Sequence, residues 1–329
     1  MEELYLGWVH QLEKGLEEWG RVRVEGDFSN IAVFGMGGSG IVGDYVAVLS
    51  NEYGGLPVIV SKSHRVPRFI CKKTLAVMVS YSGNTLETLL ALEKVLDRAG
   101  GLVVVSSDGR LEKIAEERGL PFVRVVKGIA PRTGLPHMLY GVLGVLDASG
   151  YTIVSREEAE KAYRFLGDVM SEAVDTGYRV ASYLYEHKGL LVIATHTPYE
   201  ALAIRGKNEF NENSKIPVKA EVAPEWMHND IVGWEKPFEG NKYTVLAISD
   251  PSDKPGSRLV DFMTNVYERN NIPVFRLELR GSCLLEKLLY GSLVLGFASV
   301  KLARMRGLDP LKTTSIAEYK ASVQEIFRD

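Results

Sequence analysis

Six positions after a short apolar run carry the densest chemistry in the chain. Ser80, Ser82, Asn84 and Thr85 set three hydroxyls and an amide around Gly83, and Leu86, Leu89 and Leu90 then recur at helical spacing with Glu87 in the first turn. A strand, a tight hydroxyl-rich turn and a helix start make a cradle for an anion. Free backbone N–H groups and the positive end of the helix dipole point at the ligand, and the hydroxyls add donors without charge. A sugar phosphate suits such a cradle; a plain strand-to-helix turn capped by Ser or Thr fits the same letters. A second loop, Gly35-Met36-Gly37-Gly38-Ser39-Gly40, also follows a short apolar run. It matches G-x-G-x-x-G, the dinucleotide fingerprint, but that motif wants an acid at the end of the next strand, where this chain has Val60-Ser61-Lys62-Ser63-His64. The better reading is that Gly37 and Gly38 let the backbone approach a small ligand, with Ser39 adding a donor. Further on, Asn208-Glu209-Phe210-Asn211-Glu212-Asn213 offers two acids three residues apart. Either has the chemistry of a general base, and local pattern alone does not choose between them.

The elements that would position these groups read as alternating strands and helices. Residues 30–34, 58–60, 75–79, 102–106 and 121–126 read as strands. Helices are expected over 41–49, after residue 85, over 111–118 and from Pro131-Arg132 to about Leu146. Residues 156–188 read as one charged amphipathic helical stretch. The first pattern then returns, with strands at 190–194, 218–222, 243–249 and 273–279 and helices over 200–210 and 257–270, and the chain closes with helices over 284–306 and 316–327. Short joins between alternating elements mean α/β architecture with parallel sheets, and the repeat of the order means a duplicated domain. The boundary is placed at 150/151, giving an N-terminal domain with the phosphate-binding loops (1–150) and a C-terminal domain ending in helices (151–329).

Composition narrows the classes. The 329 residues carry a net charge of −3 and no basic block, which argues against a nucleic-acid surface. Cys71 and Cys283 are the only cysteines, so no disulfide framework or zinc motif is expected and a reducing cytoplasm fits. The start, MEELYLGWVHQLEKGLEEW, reads as an acidic amphipathic helix rather than a signal peptide, and no apolar run is expected to reach membrane-spanning length. The six histidines do not pair at metal-ligand spacing, so the expectation is metal-free chemistry with no cofactor.

Taken in order, GMGGSG, SYSGNT, APRTGLP, KNEFNEN and a later His228-Asn229 resemble the archaeal bifunctional phosphoglucose/phosphomannose isomerase family, proteins of two sugar-isomerase (SIS) domains. The resemblance implies an aldose–ketose isomerase acting on glucose 6-phosphate, fructose 6-phosphate and mannose 6-phosphate through an enediolate. It implies Glu212 as the base, Arg132 as the cation beside the enediolate, and His228 with Lys320 opening the sugar ring. It implies phosphate binding by Gly38, Ser39, Ser80, Ser82 and Thr85, and it puts Thr313 where a small residue leaves room for both C2 epimers. It further implies a homodimer, with the site between the two halves and His228 donated by the neighbouring subunit. The chain departs from the family at Thr313-Thr314-Ser315, where proline commonly follows the threonine.

Three rivals set the alternatives. A non-catalytic sugar-phosphate-binding regulator would use the same cradle, normally beside a basic DNA-recognition helix. A glucosamine-phosphate synthase half would want a glutaminase domain. An NADP oxidoreductase would use Lys62 or Arg65.

Overall fold

The computed structural model describes residues 1–237, 240 and 242–327. In chain order the elements are α1 (Glu2–Leu6), α2 (Trp8–Glu17), β1 (Asn30–Phe34), α3 (Gly37–Tyr53), β2 (Val58–Ser61), β3 (Thr74–Val79), α4 (Leu86–Val95), β4 (Gly101–Ser106), α5 (Arg110–Arg118), β5 (Phe122–Arg124) and α6 (Leu135–Ala148). There follow α7 (Arg156–Asp168), α8 (Met170–Glu186), β6 (Leu190–His196), α9 (Glu200–Glu209), β7 (Val218–Ala223), β8 (Tyr243–Ser249), α10 (Lys254–Arg269), β9 (Val274–Glu278), α11 (Leu284–Met305) and α12 (Thr314–Ile326). They form two compact units. The first is Leu6–Arg164 with the chain from Thr313 onward; the second is Met1–Tyr5 with Phe165–Lys312. The crossing therefore falls within α7 rather than at 150/151, and α12, assigned from sequence to the C-terminal domain, belongs with the N-terminal unit.

The first unit holds a parallel sheet of order β2-β1-β3-β4-β5. Its central strand β3, TLAVMV, is buried along its whole length, as a run apolar on both faces requires. On one face Phe34, Met78 and Val104 pack with Leu89, Leu92 and Val95 of α4 and Leu111 of α5. The second unit repeats the plan with four parallel strands, β7-β6-β8-β9. There Val192, Ala194, Val245 and Ala247 pack against Trp226, Trp234, Met263 and Tyr267. The helical stretch 156–188 is broken at Val169 into α7 and α8.

Helix α11 corrects one expectation. Its 22 residues are long and apolar enough to span a bilayer, but 83% of its apolar window is buried inside the protein, so it is a core helix of the second unit. A helix packed all round needs apolar residues all round, and composition alone does not tell that case from a span.

Candidate active site

Parallel strands β1 and β3 are neighbours, so the helices that follow them, α3 and α4, begin at the same end of the sheet. The glycine loop is not a separate turn before α3. Helix begins at Gly37, so Gly37-Gly38-Ser39-Gly40 is itself the first turn, entered from an extended Met36. Neither α3 nor α4 has a side-chain cap on its N-terminus. Two uncapped helix starts beside each other present unsatisfied N–H donors and two positive dipole ends, the physical requirement for binding an anion.

The hydroxyl turn is built as its letters suggest. Ser80 Oγ and Thr85 Oγ1 lie 3.0 Å apart, Ser82 Oγ accepts from Asn84 N at 3.3 Å, and Gly83 N donates to Ser80 O at 3.0 Å. Gly83 holds φ +64°, and a Cβ there would meet Asp108 O at 1.7 Å, so only glycine fits. The Ser39 hydroxyl faces inward. It accepts from Tyr81 N at 3.0 Å and donates to Met138 Sδ at 3.7 Å, which makes it a brace between the two loops. Tyr81 continues the brace by accepting from Ile129 N on its phenol oxygen at 3.0 Å.

Arg132 lies in the 3₁₀ turn Pro131–Gly134 that leads into α6, and it is 6% exposed. The turn is held by Gln11 Nε2, which donates to Thr133 O at 2.9 Å, and by Thr133 Oγ1, which donates to Ala130 O at 2.8 Å. It presses on the glycine loop: a Cβ on Gly38 would sit 3.0 Å from Arg132 Cα and 3.1 Å from Pro131 O. Gly38, Ser39, Ser80, Ser82, Thr85 and Arg132 thus converge in the first unit. Lys62, the cation an NADP site would call on, is ion-paired with Asp44.

Thr313 and Lys320 join this unit on α12, Thr313 as its N-cap residue and Lys320 exposed on its surface. The helix meets α4 through Tyr319, whose hydroxyl donates to Glu87 Oε1 at 2.6 Å. This bond, with some burial, pushes the Tyr319 hydroxyl up to about 12.

In the second unit the two candidate acids have different surroundings. Glu209 is buried and committed to structure. It pairs with Arg205, accepts from the Tyr5 hydroxyl, and accepts from Asn213 Nδ2 at 2.7 Å, while Asn213 Nδ2 also donates to Ser299 Oγ at 2.9 Å. Burial first, and then the Glu209 charge, hold the Tyr5 hydroxyl well above its ordinary range. Glu212 is half-buried in a π-helical turn, Phe210–Ser214, that prolongs α9 and ends at Lys215 in the left-handed region, φ 55°. A π turn inside a helix frequently marks a functional position.

His228 ends the 3₁₀ turn Glu225–His228 and is exposed, not packed among the aromatics around it. Earlier in the same segment is a residue that the sequence reading passed over. Glu221, 1% exposed, accepts from Trp226 Nε1 at 2.7 Å, Trp234 Nε1 at 3.1 Å and the Tyr267 hydroxyl, and pairs with Lys219 at 2.5 Å. This carboxylate ties the 3₁₀ turn that ends at His228 and the next one, Asp230–Trp234, to α10. The aromatic letters nearby were visible; nothing local linked them to an acid.

The N-terminal part matches the SIS domain model over residues 27–118, and residues 173–323 match the bacterial phospho-glucose isomerase C-terminal SIS domain. A bifunctional phosphoglucose/phosphomannose isomerase of Aeropyrum pernix is 34% identical over 338 aligned positions, covering 100% of this chain and 99% of the relative. The chain belongs to the bifunctional phosphoglucose/phosphomannose isomerase family. A second member, from Aquifex aeolicus, is 32% identical over 91% of each chain. Among solved structures, a hypothetical protein of Thermus thermophilus shares the fold at TM-score 0.75 and 16% identity, covering 99% of this chain and 91% of that one. Membership in this family accounts for both SIS-type units found here.

Proposed function

We propose that this chain is a metal-free aldose–ketose isomerase that interconverts glucose 6-phosphate and fructose 6-phosphate, and mannose 6-phosphate and fructose 6-phosphate. The observation that carries the reading is the pair of uncapped helix starts at Gly37 and Leu86, backed by the buried Arg132, in a chain of this family. The phosphate dianion sits on the backbone of Gly38 and the turn of Ser80, Ser82 and Thr85, with Ser39 bracing the loop. Glu212 takes the proton from C2 of the open-chain aldose and returns it to C1. Glu209 is unsuited to that role because Arg205, Tyr5 and Asn213 occupy its oxygens. Arg132 stabilises the negative oxygens of the enediolate. His228 and Lys320 move the protons that open the ring. Glucose and mannose 6-phosphates differ only at C2 and share one enediolate, so space beside Thr313 is what dual activity requires.

The first domain in this reading supplies phosphate binding and the second the base. The protein acts in this reading as a homodimer, with His228 given by the neighbouring subunit. A chain whose two cysteines, Cys71 and Cys283, lie far apart in sequence fits a reducing cytoplasm. The test is to incubate the purified protein with fructose 6-phosphate and EDTA. Glucose 6-phosphate and mannose 6-phosphate should both appear; binding without either product would favour the non-catalytic regulator.

A further inference from the structure

The second unit repeats the topology of the first, including the place where strand order reverses. From β6 the chain turns outward through α9 to β7, and from β8 it turns the other way through α10 to β9. The crevice at the carboxyl ends of β6 and β8 is therefore the topological switch point, where open parallel sheets take their ligands. In the first unit the corresponding crevice, between β1 and β3, carries the uncapped helix starts. In the second unit it is full. Asp250, 4% exposed, directs its carboxylate into it. Oδ2 accepts from Tyr199 Oη and from Lys287 Nζ, both at 2.7 Å; Oδ1 accepts from Ser252 N at 2.9 Å and Ser252 Oγ at 2.8 Å. Lys287, 6% exposed on the first turn of α11, also donates to Ser252 Oγ at 2.6 Å. A second acid, Asp253, caps α10 by accepting from Gly256 N at 3.0 Å, and lies 3.4 Å from His196 Nδ1.

A backbone N–H, two hydroxyls and an ammonium converging on two oxygens is a donor set that an oxyanion recruits. We propose that this crevice is a second oxyanion site built into the fold and occupied by the chain's own Asp250 carboxylate, and that removing the carboxylate opens it to free phosphate or sulfate. One consequence is that each chain holds a single phosphosugar, in its first unit. That count rests on the function proposed above; the opening of the crevice does not.

The test compares full-length wild type, Asp250→Gly and the double variant Asp250→Gly/Lys287→Met by thermal unfolding. Each is heated in roughly 50 mM phosphate or sulfate and in chloride of equal ionic strength. Asp250→Gly should gain about 2 °C more from either oxyanion than wild type does, and the double variant should lose that excess. The wild-type shift subtracts any response of the first unit, so failure of the isomerase reading leaves the comparison intact. An Asp250→Gly response no larger than wild type, or an excess that survives loss of Lys287, overturns the proposal and leaves a plain structural ion pair. If Asp250→Gly does not fold in chloride, refolding yields carry the same comparison. A higher yield in phosphate than in chloride supports the site, and equal yields refute it.

Discussion

The docking of α12 depends on few contacts, which makes Tyr319→Phe a sharp perturbation. Of its thirteen residues only Val323 is buried, and Ile316 and Ile326 are exposed. Phe327, just beyond the helix, meets His64 edge-on at 4.8 Å between ring centroids. A further tie among the described residues is the hydrogen bond from Tyr319 to the 8%-exposed Glu87 in the first turn of α4. A hydrogen bond to a charged group contributes about 1.5–3 kcal/mol, and the 41% exposure of Tyr319 reduces that to about 1 kcal/mol. Loss of about 1 kcal/mol changes an opening equilibrium about fivefold. Amide hydrogen exchange over residues 314–326 should therefore quicken about fivefold in the variant, while exchange in β1 and β3 stays unchanged. The pH dependence has a definite sign. A hydroxyl raised from about 10 in the unfolded chain to about 12 when folded keeps its full contribution below about pH 10 and loses it as pH rises through 12. The variant-to-wild-type ratio should accordingly be the same at about pH 6 and about pH 9. A ratio near one would refute the reasoning and show that Val323 and Phe327 hold the helix unaided.

Three further perturbations follow from the same geometry. Gly38→Ala sets a methyl 3.0 Å from Arg132 Cα and 3.1 Å from Pro131 O, and neither backbone can rotate aside. Isomerase turnover should fall on the order of 10²-fold with circular dichroism unchanged, and near-normal turnover would contradict the close approach. Glu221→Gln replaces one of two accepting oxygens with a donor amide facing Trp226, Trp234 and Tyr267. It should cost about 2–4 kcal/mol in urea unfolding followed by tryptophan fluorescence; a cost below about 0.5 kcal/mol would remove its anchoring role. The Asp250 carboxyl is raised by burial, but Lys287, Tyr199 and Ser252 outweigh this and hold it at about 2. Its stabilisation is present above the unfolded value near 3.8 and is lost as pH falls through about 2. Between about pH 5 and pH 3, Asp250→Asn should therefore lose less urea-unfolding stability than wild type.

The parts of this molecule legible in its sequence are those decided locally. Strand runs such as residues 75–79, the turn at 80–85 and the duplicated order of elements need only neighbouring residues to be read. What resisted reading depends on partners distant in the chain. Glu209 and Glu212 look alike until Tyr5, 204 positions away, is found on the first of them. Glu221 gains its meaning from Trp234 and Tyr267, and the assignment of α12 from Tyr319 reaching Glu87, 232 positions back. Glycine disfavours helix, so the letters of the glycine cluster suggest a loop, yet Gly37 to Gly40 form the first turn of α3, where a side chain at Gly38 would collide with the Arg132 turn.

The most direct measurement is turnover and ligand binding in Glu212→Gln, which keeps the shape of the side chain and removes its basicity. Conversion of fructose 6-phosphate should drop by at least about 10³-fold, while affinity for a five-carbon sugar-acid phosphate changes by less than about twofold. A variant that still turns over within about tenfold of wild type would show that another group carries the proton.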